Sequence, residues 1–469
     1  MVDLIIPYYK NTQNFSILDP SVGDGVFVKA LVDSGINRSQ IIAHDIDLDK
    51  IEKVQKYGVK GICTDTLLND YQLKDCIIGN PPYKSRRESQ YIKINQTELE
   101  KKYGFIGLYN LYSLFLVNAV QHLKPGGIAC LILEDSFLTN RYYKSLRRFI
   151  LEKSLIIEIK LAPRKLFHAS KADVRTAILT IQRRNNTNNS KEYTNIDKKH
   201  IMRLVDRLSD ENEYSKAISQ KIPQSEFRKM PDLKFFIGIP RSIYEIVQHT
   251  KLRFGDIAKG GTGISTGNDK QYLQPAKNVS NDPNWVGFYK SGKRNAFFYQ
   301  TPYYIEKDYE KNMRDNPKNF LVRNSNFYFQ EGLTCSSVGR RFSAAYMPSG
   351  NLFGVNANFF FNDSNDLFYY LGFLNSNLTK YILRKVLIRT NIVATSFIRE
   401  IPIIEPSENQ KNEITGVVKK IVSSLMDNLN YSFTEDTKRI DEIIFEVYNI
   451  PNQDIDEIMD FNENIIERA

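Results

Sequence analysis

The first part of the chain alternates short apolar runs with amphipathic stretches, and several of the runs close on a polar residue. Val2 to Tyr9 predicts a short apolar helix or strand. Ser16-Ile17-Leu18 predicts a strand feeding Asp19-Pro20-Ser21-Val22-Gly23-Asp24-Gly25, and Phe27, Ala30 and Leu31 share one side of the helix that follows. Ile41 to Asp45 predicts a second strand, with Asp47 and Asp49 opening the next helix, where acidic groups suit the positive helix end. Val59 to Thr64 predicts a third strand, ending at Asp65, and Asp75 to Gly79 a fourth, ending at Asn80. Leu108 to Leu123 predicts an apolar helix with Tyr109, Tyr112 and Phe115 in the core. Lys124-Pro125-Gly126-Gly127 predicts a tight turn into the strand Ile128 to Leu133, with Leu155 to Leu161 and Thr176 to Gln182 as further strands. Strands and helices in alternation predict an α/β, doubly wound, Rossmann-like sheet. Asp19, Asp45, Asp65 and Asn80 then stand at the carboxyl ends of four successive strands, where such sheets bind their ligands.

The pattern changes further on. Asn185 to Lys199 has almost no apolar residues and predicts a surface loop or linker, with a domain boundary nearby. From Phe254 the chain becomes short strand-like runs broken by Gly, Asn and Pro. Trp285 to Lys290, Phe297-Phe298-Tyr299, Phe327-Tyr328-Phe329, Phe342 and Phe359-Phe360-Phe361 mark aromatic strands, and Lys290, Lys293, Arg294, Arg323, Arg340 and Arg341 lie among them. Basic residues between aromatics suit a nucleic-acid surface, although an aromatic β core with solvated charges reads almost the same. Gly260 to Asp269 is Gly-rich but lacks the ending of a phosphate loop and predicts a turn. Helical periodicity returns over Ile414 to Leu429 and Asp441 to Tyr448, and Ile450-Pro451 starts a further short helix.

Bulk properties narrow this picture. A chain of 469 residues is expected to hold two or three domains. Its net charge of +10 favours a polyanionic partner, and its 12% aromatic content supplies stacking material. Cys63, Cys76, Cys130 and Cys335 have no metal-ligand spacing and read as reduced core residues of a cytoplasmic protein, so no metal is expected. No apolar run reaches the roughly 18–20 residues of a membrane helix, and no signal peptide is visible, so no membrane partner is expected.

The candidate chemistry centres on Asn80-Pro81-Pro82-Tyr83. Two prolines make a stiff corner without backbone N–H donors. Asn80 offers an amide oxygen, Pro81 a carbonyl oxygen and Tyr83 a flat face. Two acceptors and a ring can hold both hydrogens of an exocyclic amino group, draw its lone pair out of conjugation and stack its ring. The Gly23 and Gly25 turn allows close ligand approach, and Asp45 is placed to accept two ribose hydroxyls. Lys84 to Lys102, long and charged, predicts a loop that closes over DNA or a solvated flap.

These motifs, in this order, resemble the gamma group of S-adenosylmethionine-dependent DNA amino-methyltransferases of restriction–modification systems. In that family the Asn-Pro-Pro-Tyr motif mostly serves N6 of adenine. The resemblance implies S-adenosylmethionine as cofactor, with Asp19, Pro20, Gly23 and Gly25 around its methionine part, Asp45 on its ribose, Asp65 on its adenine amino group and Asn80 beside it. It implies catalytic roles for Asn80, Pro81, Pro82 and Tyr83, and a second stacking face from Phe167 in the connection after Leu161. In the second half, Gly263-Ile264-Ser265-Thr266-Gly267-Asn268, Trp285 to Lys290, Gly332 to Ser336 and Leu371 to Asn377 resemble a target-recognition domain, with Leu371 to Val386 its helix and Phe397 to Ile403 its exit. The implied layout is a catalytic domain over 1–184, a connecting segment over 185–244, a mixed α+β target-recognition domain over 245–405 and a helical tail over 406–469. The opening Met1-Val2-Asp3-Leu4-Ile5-Ile6 resembles the helix that follows the family's cofactor lid. That predicts a lid absent, trimmed or supplied elsewhere, weaker cofactor affinity, and no cleavage by this chain. The implied partners are double-stranded DNA and, at the level of the system, a restriction endonuclease. Three rival functions remain at this stage: N4-cytosine methylation, methylation of a protein glutamine, and a non-catalytic DNA-recognition subunit.

Overall fold

The structure is a computed structural model and describes residues 1–10, 12, 14–163, 175–185, 190–206, 219–279, 281–290, 296–301, 303–339, 341–388 and 392–464. Phe167, Lys293, Arg294 and Arg340 lie outside these residues. The chain divides into two compact units, Met1–Gly238 and Ile239–Ala469.

The first unit is built on one sheet of nine strands: β1 (Ile17–Asp19), β2 (Ile41–Asp45), β3 (Lys60–Cys63), β4 (Lys74–Gly79), β5 (Leu123–Glu134), β6 (Ser154–Leu161), β7 (Thr176–Arg183), β8 (Ile201–Val205) and β9 (Ser219–Pro223). Their order is β3-β2-β1-β4-β5-β7-β6-β8-β9. The first five strands are parallel to their neighbours, and β7 inserts antiparallel between β5 and β6. The strand order reverses between β1 and β4, and there the carboxyl ends open a crevice. Side chains on both faces of β1 and of most of β4 and β5 are buried, as a sheet covered by helices on both sides requires. The flanking helices include α1 (Val26–Asp33) and α2 (Leu48–Gln55) after β1 and β2. Three more lie between β4 and β5: α3 (Gln90–Ile94), α4 (Gln96–Tyr103) and α5 (Leu111–His122).

Several local expectations are corrected. Lys84 to Lys102 is not a loop: α3 and α4 occupy most of it and bury Ile92, Leu99 and Tyr103. The Lys124 to Gly127 turn lies inside β5, where the pairing with β4 shifts register between Lys74 and Cys76. Asn185 to Lys199 ends in a helix over Ser190–Lys199, and β8 and β9 then extend the first sheet, so 185–244 is largely part of the first unit. Tyr109 precedes α5 and is exposed, unlike the buried Tyr112. Cys76, Cys130 and Cys335 are buried, but Cys63 is exposed.

The second unit holds a five-stranded and a four-stranded sheet. Trp285–Tyr289, Phe297–Phe298 and Asn358–Phe360 are strands, and their phenylalanines and Tyr289 enter the core, while Trp285 is only partly buried. Phe327-Tyr328-Phe329 is a turn rather than a strand, with Phe329 at a left-handed φ of 65°, and Phe342 precedes the strand Ala344–Met347. Leu371 to Val386 is interrupted: one helix ends at Asn375, Ser376 caps the next, and a wider π turn covers Ile382–Leu387. Glu408–Asp427 packs on Ser364–Asn375 at Gly372, where a Cβ would lie 2.8 Å from Ile414. Thr434–Val447 and Asn452–Glu463 complete the helical tail. No helix of the described residues is long and apolar enough to cross a membrane.

Candidate active site at the carboxyl ends of the first sheet

Asp45, closing β2, accepts the Gly23 N–H at Oδ2 (2.9 Å) and the Asp47 N–H at Oδ1 (3.1 Å). One carboxylate thus fixes its own turn and the glycine loop after β1. Gly23 has a φ of 51° and lines the cavity described below. Gly25, at a φ of 80°, caps α1 and faces Val54, where a Cβ would lie 2.6 Å from Cγ1. Asp19 is buried, with Oδ1 accepting the Ser21 N–H at 3.3 Å and Oδ2 meeting no partner among the described residues. Burial pushes the Asp19 carboxyl up to about 7, against the Ser21 amide and with help from the Asp45 charge. A buried, unsatisfied carboxylate oxygen is costly unless a donor arrives.

Asp65 lies two residues past β3. Its Oδ1 accepts the N–H groups of Leu67 and Leu68 at 3.0 and 3.1 Å. The hydroxyl of Tyr91, from α3, donates across both carboxylate oxygens at 2.9 Å. Burial and the Asp65 charge drive the Tyr91 pKa upward, so its hydroxyl stays a donor. The helical segment is tied down by the Tyr103 hydroxyl on the Leu67 carbonyl (2.8 Å) and the Lys102 ammonium on the Leu68 carbonyl (2.8 Å).

Asn80 is exposed at the end of β4, Pro81 is buried and Tyr83 is half-buried. The Tyr83 hydroxyl donates to Asn80 Oδ1 at 2.6 Å and also lies 3.2 Å from the Ile132 carbonyl. Burial raises its pKa, which keeps the proton on it. The Tyr83 ring meets Tyr112 edge-on, with centroids 6.2 Å apart. The corner touches the β1 loop: Ser21 Oγ stands 3.5 Å from the Asn80 carbonyl. Gly79 allows this approach, because a Cβ there would lie 3.0 Å from Asp19 Oδ1 and 3.1 Å from Pro20 Cδ.

A cavity of about 460 Å³ joins these parts. Pro20, Ser21, Gly23, Asp45, Asp65, Asn80 and Pro82 line it, with Tyr91 and Lys84 on the helical side. Asp19, Gly25, Pro81 and Tyr83 stand outside its wall. Leu67, Leu111 and Phe115 supply apolar surface, and Ile46, also in the wall, is 66% exposed. An amino acid joined to a purine nucleoside fits this lining: Asp45 for vicinal hydroxyls, Asp65 for an exocyclic amine, Ile46 and Phe115 for a ring, with the buried Asp19 behind the Pro20–Gly23 loop. Tyr91, Ser21 and Gly79 were not singled out from the sequence. Gly79 stands directly before the motif and was legible, whereas Tyr91 meets Asp65 across 26 positions and left no local sign.

Residues 37–167 match the Eco57I restriction-modification methylase family. The chain is 23% identical over 360 residues to the type II methyltransferase M.AccI of Acinetobacter calcoaceticus, covering 71% of this chain and 64% of that protein. It is 24% identical over 398 residues to the adenine-specific methyltransferase PglX of Lacticaseibacillus casei, covering 76% of this chain and 32% of that protein. It therefore spans only part of the relatives it matches. Among solved structures, the Type IIL restriction-modification enzyme MmeI in complex with DNA superposes with a TM-score of 0.64 at 13% identity, covering 99% of this chain and 74% of that one. A nuclease-deletion mutant of the Type ISP enzyme LlaGI in complex with a DNA substrate mimic gives 0.55 at 14% identity, covering 90% and 53%. The chain has a mixed α/β methyltransferase fold with a helical C-terminal region.

Proposed function

We propose that this chain, related to the restriction–modification methyltransferases through the match at 37–167, transfers a methyl group from S-adenosylmethionine to N6 of an adenine swung out of duplex DNA. One observation carries the reading: the exposed Asn80 amide and the carboxylate-lined cavity adjoin, with Ser21 Oγ 3.5 Å from the Asn80 carbonyl. The Pro20–Gly23 loop, backed by the buried Asp19, would hold the methionine end, Asp45 the ribose and Asp65 the purine amine. Bound there, the cofactor supplies an electrophilic methyl on a sulfonium.

The protein's own part is positional and electrostatic. Extrusion of the base costs on the order of a few kcal/mol, and stacking on Tyr83 returns roughly 1–3 kcal/mol of it. Asn80 Oδ1 and the Pro81 carbonyl accept the two hydrogens of the target amine and turn its lone pair towards the cavity. Both acceptors favour the positive charge that develops on that nitrogen as it is alkylated. Asn80 Oδ1 already receives a donor, the Tyr83 hydroxyl. The target amine takes that place, and the hydroxyl keeps the Ile132 carbonyl as acceptor. The surplus proton then leaves to solvent. Residues 245–405 of the second unit would read the DNA sequence. Adenine is favoured over the N4-cytosine alternative by relatives such as PglX, whose name is adenine-specific.

The test is transfer of labelled methyl from S-adenosylmethionine to genomic DNA, with nucleoside analysis of the product. N6-methyladenine is expected. Asn80→Ala should lower transfer by about 10²–10³-fold, as loss of one transition-state hydrogen bond does, with cofactor binding kept within a few-fold. Parallel loss of binding and transfer would make Asn80 a mere turn residue, and label on cytosine or on protein would replace the substrate.

A further inference from the structure

The aromatic side chains around Tyr83 continue outward from the cavity. Tyr83 touches Tyr112 edge-on, and Tyr112 lies 5.8 Å from Tyr143. Tyr143 lies 5.8 Å from Tyr109, and Tyr109 lies 5.3 Å from Tyr142. Tyr112 and Tyr143 are buried, but Tyr109 is 42% and Tyr142 52% exposed. The outer pair is tied to the catalytic corner by backbone: the Arg86 N–H donates to the Tyr109 carbonyl at 2.8 Å and the Leu111 N–H to the Lys84 carbonyl at 3.1 Å. Lys84 and Leu111 both line the cavity, so the backbone that carries Tyr109 is joined directly to its wall.

Two features make this a built surface rather than stray apolar exposure. Gly107, at a φ of 80°, leaves room for the Tyr109 ring, because a Cβ there would lie 2.5 Å from it. Positive charge lies in the same segments as the rings. The Arg141 guanidinium stands 5.3 Å over the Tyr142 ring, and the exposed Arg86 and Arg87 guanidinium groups meet no partner among the described residues. Glu88, in the same segment, is turned onto Ser85 instead, its carboxylate accepting from the Ser85 hydroxyl at 2.7 Å. Exposed rings beside exposed arginines suit a strand whose bases stack while its phosphates pair.

We infer that Tyr109 and Tyr142 form a second base-stacking platform, on which an unpaired nucleotide of the DNA beside the extruded one is held, with Arg86, Arg87 and Arg141 on its phosphates. The inference rests on the proposed methylation of DNA only for what lies at the cavity mouth.

Its test needs no methyl transfer. The 469-residue chain, without cofactor, is titrated with a labelled oligodeoxythymidylate and with an abasic strand of equal length. Wild type should bind the thymidylate about tenfold more tightly, the scale of one stacked base. Tyr109→Ala with Tyr142→Ala should cut that excess to below about twofold, and the Phe pair should keep it, which separates lost stacking from lost folding. Gly107→Ala, which displaces the Tyr109 ring, should reduce it in part. Arg86→Ala with Arg87→Ala should weaken both ligands equally and flatten the salt dependence. An excess that survives the Ala pair, or that vanishes only in Tyr83→Ala, overturns the inference. The transfer assay on wild type keeps the two readings apart. Transfer with an excess that ignores Tyr109 and Tyr142 sinks the platform alone. An excess that follows them without any transfer sinks the methyltransferase reading alone.

Discussion

Asp45 and Asp65 hold their carboxylates through backbone N–H groups of the loops around them. Asn80, on the other side of the same cavity, holds its amide oxygen through one side-chain bond from Tyr83. The difference separates two tasks. Acceptors fixed by main chain need no rearrangement when a ligand arrives, which suits a cofactor bound in every cycle. An acceptor satisfied by a movable hydroxyl can exchange that donor for another, which suits a substrate that comes and goes. The Tyr91 bond to Asp65 sits between these cases, a side-chain donor added to a carboxylate that the backbone already holds.

Substitutions can break this contrast. The largest effect belongs to Asn80→Ala, through transfer rather than cofactor binding. Asp45→Ala should do the reverse: the KM for S-adenosylmethionine rises about 10–100-fold, since hydrogen bonds to a charged group are worth roughly 1.5–3 kcal/mol, while kcat falls less. A dominant kcat loss would mean that the Gly23 loop positions the reaction rather than the cofactor. Tyr83→Ala should weaken catalysis about tenfold or more through lost stacking. Tyr83→Phe, which removes only the exchangeable hydroxyl, should stay within about threefold of wild type; equal losses would count against a stacking role. Tyr91→Phe should loosen cofactor binding only a few-fold, the size of one hydrogen bond of about 1 kcal/mol, measured by calorimetric titration. Tighter binding would mean that Tyr91 competes with the cofactor's amine.

A further effect, on stability rather than activity, is one of pH. The buried Asp19 holds its proton up to about 7, against 3.8 for an unperturbed carboxyl. Its protonated form therefore favours the folded cofactor-free chain, fully below pH 3.8 and progressively less as the pH rises through about 7. The melting midpoint of the wild type should fall relative to Asp19→Asn across that window. Parallel melting curves would mean that Asp19 is hydrated or already paired.

The strand ends were legible because each joins an apolar run to a polar residue, and that boundary survives any detail of packing. Asp45, Asp65 and Asn80 line one cavity of the first sheet, and Asp19 is buried beside it at the end of β1. Residues 84–103 were harder to read. Ile92, Leu99 and Tyr103 make a stripe one residue wide on two short helices, and the charges between them dominate the composition. β8 and β9 were missed because they show little apolar pattern: Ile201 and Arg203 of β8 face solvent, and no residue of the edge strand β9 is fully buried. Phe327-Tyr328-Phe329 has strand-forming residues, but its neighbours force Phe329 to a φ of 65°, so local preference gave way to tertiary packing. The Tyr91 bond to Asp65 and the ring series from Tyr83 to Tyr142 depend on contacts distant in sequence and had no local signature.

Gly79 carries a consequence out of proportion to its size. The spacing between the loop after β1 and the proline corner is set by a carbon atom that is not there, since any larger residue would press on Asp19 and Pro20. If donor and acceptor do meet across that gap, the reach of the methyl group is written into the emptiest position of the chain, one step before the motif that draws the eye.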